Sequence, residues 1–142
     1  MEFRQREIST SSGPVTIREG GEGHPLLYLH SAGGPRISAP LEKLAKTHRV
    51  IAPTYPGYDG TPAHASVKSM RDLADLMGEV LVKEVQGSAD VMGHSLGGWT
   101  AMWVAARHKA RVRQLVLETP AGLIEPGKGG LPADPAQVRN YL

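Results

Sequence analysis

Cysteine is absent from this sequence of 142 residues. Its absence excludes disulfides, thiolate catalysis and cysteine-ligated metal sites, although it constrains the cellular compartment only weakly. Long apolar runs are also absent, since no segment approaches the roughly 18 residues of a membrane span. The first ten residues carry charges where a signal peptide would be apolar. We therefore expect a cytoplasmic protein without a membrane partner.

An excess of charge of either sign is missing as well. The chain has 16 basic and 14 acidic residues, a formal net charge of +2, and these charges are spread along its length. Such a balance gives no electrostatic reason to expect binding to nucleic acid or to an anionic membrane. With 40% apolar and 21% charged residues, the composition is that of one ordinary globular domain with a hydrophobic core.

The apolar residues follow the pattern of an α/β fold. In two segments, 3–9 and 14–18, polar and apolar residues alternate, and a turn-rich stretch joins the two. This pattern predicts an antiparallel hairpin. Buried strands and amphipathic helices then alternate, with strands predicted at 26–29, 50–52, 89–92 and 114–117 and helices at 37–46, 69–85 and 96–108. This order predicts a mostly parallel sheet with an antiparallel N-terminal hairpin, and it places functional loops at the carboxyl ends of the strands.

One motif with chemical meaning lies between a predicted strand and a predicted helix. Residues 93–98 read Gly-His-Ser-Leu-Gly-Gly, the G-x-S-x-G pattern of a nucleophile elbow in the strand-turn-helix context that it requires. So tight a turn strains the backbone of Ser95 and needs small residues on either side, which Gly93 and Gly97 provide. We predict Ser95 as a nucleophile, with the Leu96 N–H free to stabilise an oxyanion. A dinucleotide-binding turn is disfavoured because the G-x-G-x-x-G spacing is missing.

Two further loops make the chain resemble the α/β-hydrolase family. Residues 30–35, His-Ser-Ala-Gly-Gly-Pro, follow a predicted strand where the family commonly has H-G-x-G, and Ser31 stands at the first glycine. Residues 52–61 resemble the family's loop after the fourth strand. The resemblance implies an α/β-hydrolase fold truncated after its sixth strand, with an oxyanion hole formed by the backbone N–H groups of Ala32 and Leu96. It implies no metal and no organic cofactor.

A catalytic base is harder to identify. The family order is Ser, then Asp or Glu, then His, but the last histidine is His108, which a helical rise places about 20 Å from Ser95 on a solvated helix end. His30 is interpreted as structural, with a role as surrogate base as the alternative. Glu118 is either the triad acid or a strand-end carboxylate with local hydrogen bonds. Of the remaining candidates, His94 is expected to point away from the site, and Asp90 begins its strand and so lies at the wrong edge of the sheet. The other three are expected to lie on the surface (His24, His48 and His64).

The composition changes after residue 119. Residues 120–142 are rich in proline and glycine, and residues 134–138 are typical of the start of a helix. We therefore divide the chain into a partial hydrolase core, residues 1–119, and a linker with the start of a cap-domain helix, residues 120–142. In that arrangement the sixth strand is an exposed edge that is prone to self-association.

Two functions of different classes are open at this point. The first is a serine hydrolase that cleaves a small ester, lactone or C–C bond substrate through Ser95, the chain being the N-terminal part of a longer enzyme that carries the missing histidine. An acyltransferase or perhydrolase would share the same motifs. The second is a catalytically inactive truncated hydrolase that acts as a binding or assembly module through its sheet edge.

Overall fold

The computed structural model describes residues 2–124 and confirms the predicted order of elements. Within these residues the strands and α-helices are β1 Arg4–Thr10, β2 Gly13–Gly20, β3 His24–Leu29, α1 Ala39–Leu44, β4 His48–Pro53, α2 Met70–Glu84, β5 Ala89–His94, α3 Leu96–Arg107 and β6 Val112–Glu118. One 3₁₀ turn, Lys109–Arg111, precedes β6. The helix predicted to start near residue 134 lies outside the described residues.

The strands form one mixed sheet in the order β1-β2-β4-β3-β5-β6. β1, β2 and β4 pair antiparallel, whereas β4, β3, β5 and β6 pair in parallel. This is the predicted α/β fold with an antiparallel N-terminal hairpin, and its six strands follow the order expected from the family resemblance. Because the parallel strands share one direction, the loops that follow β3, β4, β5 and β6 meet at the same edge of the sheet.

The helices form where apolar spacing and capping residues predict them. α2 begins after Ser69, whose Oγ accepts the Asp72 N–H at 3.1 Å, a capping bond that satisfies one free donor of the first turn. α1 is shorter than predicted and has six residues. It starts after the extended Ser38, with Pro40 in its first turn, and its end tightens into hydrogen bonds of 3₁₀ type.

The core lies on both faces of the central strands. Helices α2 and α3 contribute side chains to a large cluster that includes Leu27, Ile51 and Val91, all fully buried. On the opposite face, Leu41 of α1 joins Leu26 in a smaller cluster. Leu26 and Leu27 are successive residues of β3 and therefore point to opposite faces of the sheet. Because each is buried in one of the two clusters, β3 is covered on both faces.

β6 is an edge strand and is mostly exposed. Three consecutive apolar side chains keep much of their surface: Leu115 is 38%, Val116 is 46% and Leu117 is 36% exposed. The predicted exposed edge is thus found among residues 2–124, whereas self-association through it stays a prediction. Over the same residues, no helix combines the length and the apolarity needed to cross a membrane.

His64 is buried, so its prediction as a surface residue is wrong. Its Nε2–H donates to the Pro14 carbonyl at 3.0 Å, and its Nδ1 lies 2.9 Å from the Ser12 hydroxyl. A Cβ on Gly13 would come within 2.9 Å of the ring. The β1–β2 turn therefore supplies both polar partners and the space that a buried imidazole needs, a long-range contact that no local sequence pattern shows.

Candidate active site

Ser95 occupies the sharp turn between β5 and α3, as predicted. Its backbone lies at φ 53° and ψ −112°, a region that costs free energy for any residue with a side chain. The surroundings hold it there, because the Ser95 N–H donates to the Glu118 carbonyl (3.0 Å) and the Ser95 carbonyl accepts the N–H groups of Trp99 (3.1 Å) and Ala121 (2.9 Å). The strained turn is thus fastened to the segment that follows β6.

Close packing explains the glycines on either side of this turn. A Cβ on Gly93 would lie 2.1 Å from the Gly97 carbonyl oxygen, and a Cβ on Gly97 would lie 1.9 Å from the Leu29 carbonyl oxygen. Both contacts are with backbone, which cannot swing aside. Gly98 is less confined, since its Cβ would meet the Pro120 Cβ at 2.7 Å. The small residues of the motif therefore allow α3 to lie directly against the end of β3.

The loop after β3 is organised around Ser31. Its carbonyl accepts the Gly34 N–H at 3.0 Å, and Gly34 has φ 95°, a left-handed conformation that favours glycine. The Ser31 hydroxyl accepts the Gly33 N–H at 3.2 Å. Serine at the position where the family resemblance expects glycine is thus used locally to fold the loop. Ala32, at the tip, is exposed.

The N–H groups proposed for the oxyanion hole, those of Ala32 and Leu96, make no hydrogen bond in the turns, loops or side chains of residues 2–124. Leu96 is the first residue of α3, where backbone donors have no partner within the helix and the helix dipole favours negative charge. Within residues 2–124 neither donor has a partner that an incoming acceptor would have to displace.

His30 is a buried structural residue at the end of β3. The Tyr55 N–H donates to its Nε2 at 3.0 Å, so the proton is on Nδ1, which donates to the Ser31 carbonyl at 2.7 Å. Burial lowers the pKa of His30 and favours the neutral ring. Because Nε2 is already an acceptor, it cannot also take the proton of Ser95. The alternative role of surrogate base is therefore wrong.

β6 ends one residue later than predicted, so Glu118 is the last residue of the strand and does not follow it. Its carboxylate is exposed and accepts no hydrogen bond from residues 2–124, so the alternative of a locally bonded carboxylate has no support there. It borders a cavity of about 550 Å³ that is also lined by Tyr28, Met92 and His94. Burial, with the charge of Glu118, raises the pKa of Tyr28 on the same cavity wall.

His108 ends α3 but is half-buried, in contrast to its predicted solvation. Its Nε2 lies 3.1 Å from the Asp75 carboxylate, to which the Arg107 guanidinium also donates at 2.7 Å. Arg107 holds the pKa of Asp75 below its usual range. A Cβ on Gly78 would lie 2.4 Å from the imidazole. The ring therefore packs onto α2, and its role is to join two helices.

Asp90 lies at the amino end of β5, as expected, away from the loops that follow the strands. It is buried and accepts a hydrogen bond of 2.5 Å from Arg113, whose Nε–H also donates to His24 at 2.9 Å. No group of three or more His, Asp or Glu side chains suited to a metal ion occurs among residues 2–124. None of the six histidines in the sequence hydrogen-bonds to the hydroxyl of Ser95 in the described structure.

Sequence reasoning missed Arg18, which contacts two loops at this edge of the sheet. From β2, its Nη1 donates to the Pro35 carbonyl at 2.6 Å and its Nη2 donates to the Asp59 carboxylate at 2.7 Å. An arginine on an alternating strand is expected to be a solvated charge, so no local signal identifies it. Only the tertiary structure shows that it lies between the loops after β3 and β4.

Known proteins are similar to this chain in sequence and in structure. A model of the alpha/beta hydrolase family matches residues 26–141. A 2-hydroxymuconate semialdehyde hydrolase from Pseudomonas sp. (strain CF600) is 35% identical over 136 residues, which are 90% of this chain and 47% of that protein. A pimeloyl-[acyl-carrier protein] methyl ester esterase from Aromatoleum aromaticum is 37% identical over 94 residues, 65% of this chain and 35% of the esterase.

Solved structures agree with the sequence relatives. An N-acyl homoserine lactonase superimposes with a TM-score of 0.76 at 33% identity, covering 84% of this chain and 46% of the lactonase. The chain thus spans about half the length of the relatives it matches. Strand order, the strained serine between β5 and α3, and a family match over most of the chain lead to one conclusion: this chain belongs to the alpha/beta hydrolase family.

Proposed function

We propose that Ser95 is the nucleophile of a serine hydrolase. The observation that carries this proposal is the strained backbone of Ser95, at φ 53° between β5 and α3. Strain of this kind persists only where surrounding contacts maintain it, and it concentrates at functional sites. In a strand-to-helix turn of this kind the serine hydroxyl is exposed at the end of the strand, and the N-terminus of the following helix lies beside it.

In the proposed reaction the Ser95 oxygen bonds to a substrate carbonyl carbon, and negative charge develops on the carbonyl oxygen. The free N–H groups of Ala32 and Leu96 would hold that charge. The leaving group departs with a proton, and water then attacks the acyl-enzyme to release the acid and restore Ser95. For a C–C bond substrate the leaving group is a carbon acid instead of an alcohol.

A base must take the proton of Ser95 in the first step. We propose that it is a histidine outside this sequence, in a longer enzyme of which this chain is the N-terminal part. Two facts support this: the matched relatives are about twice as long, and the Nε2 of His30 is already occupied. Glu118, with its free carboxylate beside the cavity, is the proposed acid that orients the base.

The proposed substrates are small esters, lactones or compounds with an activated C–C bond. Relatives with names in each of these classes share 33–37% identity with this chain: the semialdehyde hydrolase at 35%, the methyl ester esterase at 37% and the lactonase at 33%. We propose that residues 120–142 lead into a cap that selects among them. These residues lie almost entirely outside the described structure.

The test uses the polypeptide encoded by the whole open reading frame. Its hydrolysis of a short-chain nitrophenyl ester and of an acyl homoserine lactone is measured alongside Ser95→Ala and the control Ser9→Ala, an exposed serine on β1. We expect Ser95→Ala to lower kcat by at least about a thousandfold and Ser9→Ala to leave it within twofold. Equal activity of the wild type and Ser95→Ala would refute the proposal.

A second candidate function is favoured by the exposed edge of β6. Among residues 2–124, β6 is an edge strand with three exposed apolar side chains, and edge strands of this kind pair readily with another strand. We propose in this case a non-catalytic module that self-associates through β6. Sedimentation of the chain should show a dimer that Leu117→Lys converts to monomer, while a monomeric wild type would rule this function out.

A further inference from the structure

Arg18 joins the two loops that border the candidate active site. It lies on β2 opposite Ala52 of β4, near the carboxyl end of β4. One terminal nitrogen donates to the Pro35 carbonyl, after the loop that carries Ala32, and the other donates to the Asp59 carboxylate. One guanidinium therefore ties the loop after β3 to the loop after β4.

The loop after β3 makes few hydrogen bonds of its own, whereas the loop after β4 makes three between its backbone groups. In the first, the Gly33 and Gly34 N–H groups both bond to Ser31, so the loop is closed on itself but fastened to the sheet only at its ends. In the second, Asp59 has φ 51°, a conformation that costs free energy for a residue other than glycine. The Arg18 guanidinium holds the Asp59 carboxylate at this turn.

The arrangement differs from an ordinary surface ion pair. Exposed pairs contribute little, because solvent screens them and both side chains lose freedom. Although the Asp59 side chain is 52% exposed, the Arg18 side chain is only 22% exposed, and it forms a second bond, to a backbone carbonyl. A planar guanidinium with donors on two sides can span two loops in this way, whereas a lysine ammonium cannot hold the same geometry.

We infer that Arg18 is a positioning residue that places the Ala32 N–H relative to Ser95 by fastening both loops to β2. The inference rests on the proposed function only for its catalytic consequence. Displacement of a catalytic donor by about 1 Å costs up to about a hundredfold in rate, so loss of the guanidinium should slow the chemistry without touching Ser95.

The first measurement is amide hydrogen exchange by NMR on the 142-residue chain. Arg18→Met should speed exchange about tenfold at the bonded amides of both loops, those of Gly33 and Gly34 and those of Gly57 and Thr61. Asp59→Ala should speed only the second pair, because the bond to the Pro35 carbonyl remains. The matched control is Arg6→Met, since Arg6 is also a hairpin arginine but bridges Glu19 and Glu84, away from these loops.

The second measurement is the rate of Ser95 phosphonylation in the product of the whole reading frame. Arg18→Met should lower kinact/KI about tenfold, with Arg18→Lys between it and the wild type. Unchanged exchange in both loops of a folded Arg18→Met protein overturns the inference, and so does an unchanged labelling rate. If the wild type is not labelled but both loops loosen, the proposed function fails while the fastening role of Arg18 stands.

Discussion

The strand that precedes Ser95 has two very different neighbours. On one side β5 pairs with β3, which is buried on both faces and includes the fully buried Leu27 and Leu29. On the other side it pairs with β6, whose side chains are exposed after the first residue. Among residues 2–124 the sheet therefore continues on the β3 side of Ser95 and ends at β6 on the other side.

The turn at Ser95 depends on both neighbours but in different ways. From β3 it receives close packing, since Gly97 lies against the Leu29 carbonyl. From β6 it receives hydrogen bonds, from the Ser95 N–H to Glu118 and from the Ala121 N–H to Ser95. The difference teaches that the geometry of the turn at Ser95 is set by the buried side and held in place by the exposed one. The two sides should therefore respond differently to substitution.

The largest difference is expected between two adjacent glycines. A Cβ on Gly97 would lie 1.9 Å from backbone of β3, whereas a Cβ on Gly98 would meet Pro120, after β6, at 2.7 Å. Gly97→Ala should cost about 4 kcal/mol or more of unfolding free energy, and Gly98→Ala about 1–2 kcal/mol, since the exposed segment can shift. Urea unfolding followed by circular dichroism measures both, and equal losses would show that the two sides are equally rigid.

A smaller difference is expected between two leucines. Leu27 on β3 is fully buried, and Leu115 on β6 is 38% exposed. Leu27→Ala should destabilise the protein by about 2–5 kcal/mol through the cavity that it leaves, and Leu115→Ala by about 1 kcal/mol or less. A loss of several kcal/mol at Leu115, measured by the same urea titration at low protein concentration, would mean that β6 is covered in solution.

The buried side should also be the more sensitive to pH. Burial lowers the pKa of His30, whereas in the unfolded chain a histidine has a pKa of about 6.5. The unfolded state then binds the proton first, so stability is highest above about pH 6.5 and falls as the pH drops below it. In urea titrations at pH 8 and pH 5.5, His30→Asn should lose less stability than the wild type on acidification. An identical loss of stability in the wild type and in His30→Asn would show that groups other than His30 cause the pH dependence.

The smallest effect is expected at Tyr55, next to His30. Its hydroxyl is buried and has no hydrogen-bond partner among residues 2–124, and its ring centroid lies 4.1 Å from that of His30. Tyr55→Phe keeps the ring contact and removes an unsatisfied polar group, so stability should stay the same or rise by about 1 kcal/mol. A loss of more than about 1 kcal/mol in thermal unfolding would reveal a hydrogen bond to the hydroxyl.

Local patterns were sufficient to predict most of this fold. Alternation predicted the hairpin, apolar runs predicted β3 to β6, and the G-x-S-x-G motif predicted the strained turn at Ser95. These features depend on neighbours in sequence: side-chain periodicity, caps, and the small residues that a tight turn requires. The sequence could therefore predict the strained turn at Ser95 and the order of elements along the chain, whereas the role of Ser95 as nucleophile stays a prediction.

Local sequence patterns could not predict the contacts between segments that are distant in the chain. Burial of His64 against the hairpin turn, the packing of His108 on Gly78, and the two bonds of Arg18 each join segments that are far apart in the chain. A histidine or arginine in a polar stretch looks the same whether it is solvated or bonded across the fold. The sequence does not show which residue each of these side chains contacts, and only the tertiary structure identifies that residue.

The central claim, that Ser95 is the nucleophile, is tested most directly by locating a covalent adduct. The product of the whole open reading frame is treated with a fluorophosphonate, digested and sequenced by mass spectrometry. The account predicts one phosphonyl group, on the peptide that contains Ser95, and none in Ser95→Ala. An adduct on another serine, or labelling that Ser95→Ala leaves unchanged, would contradict it.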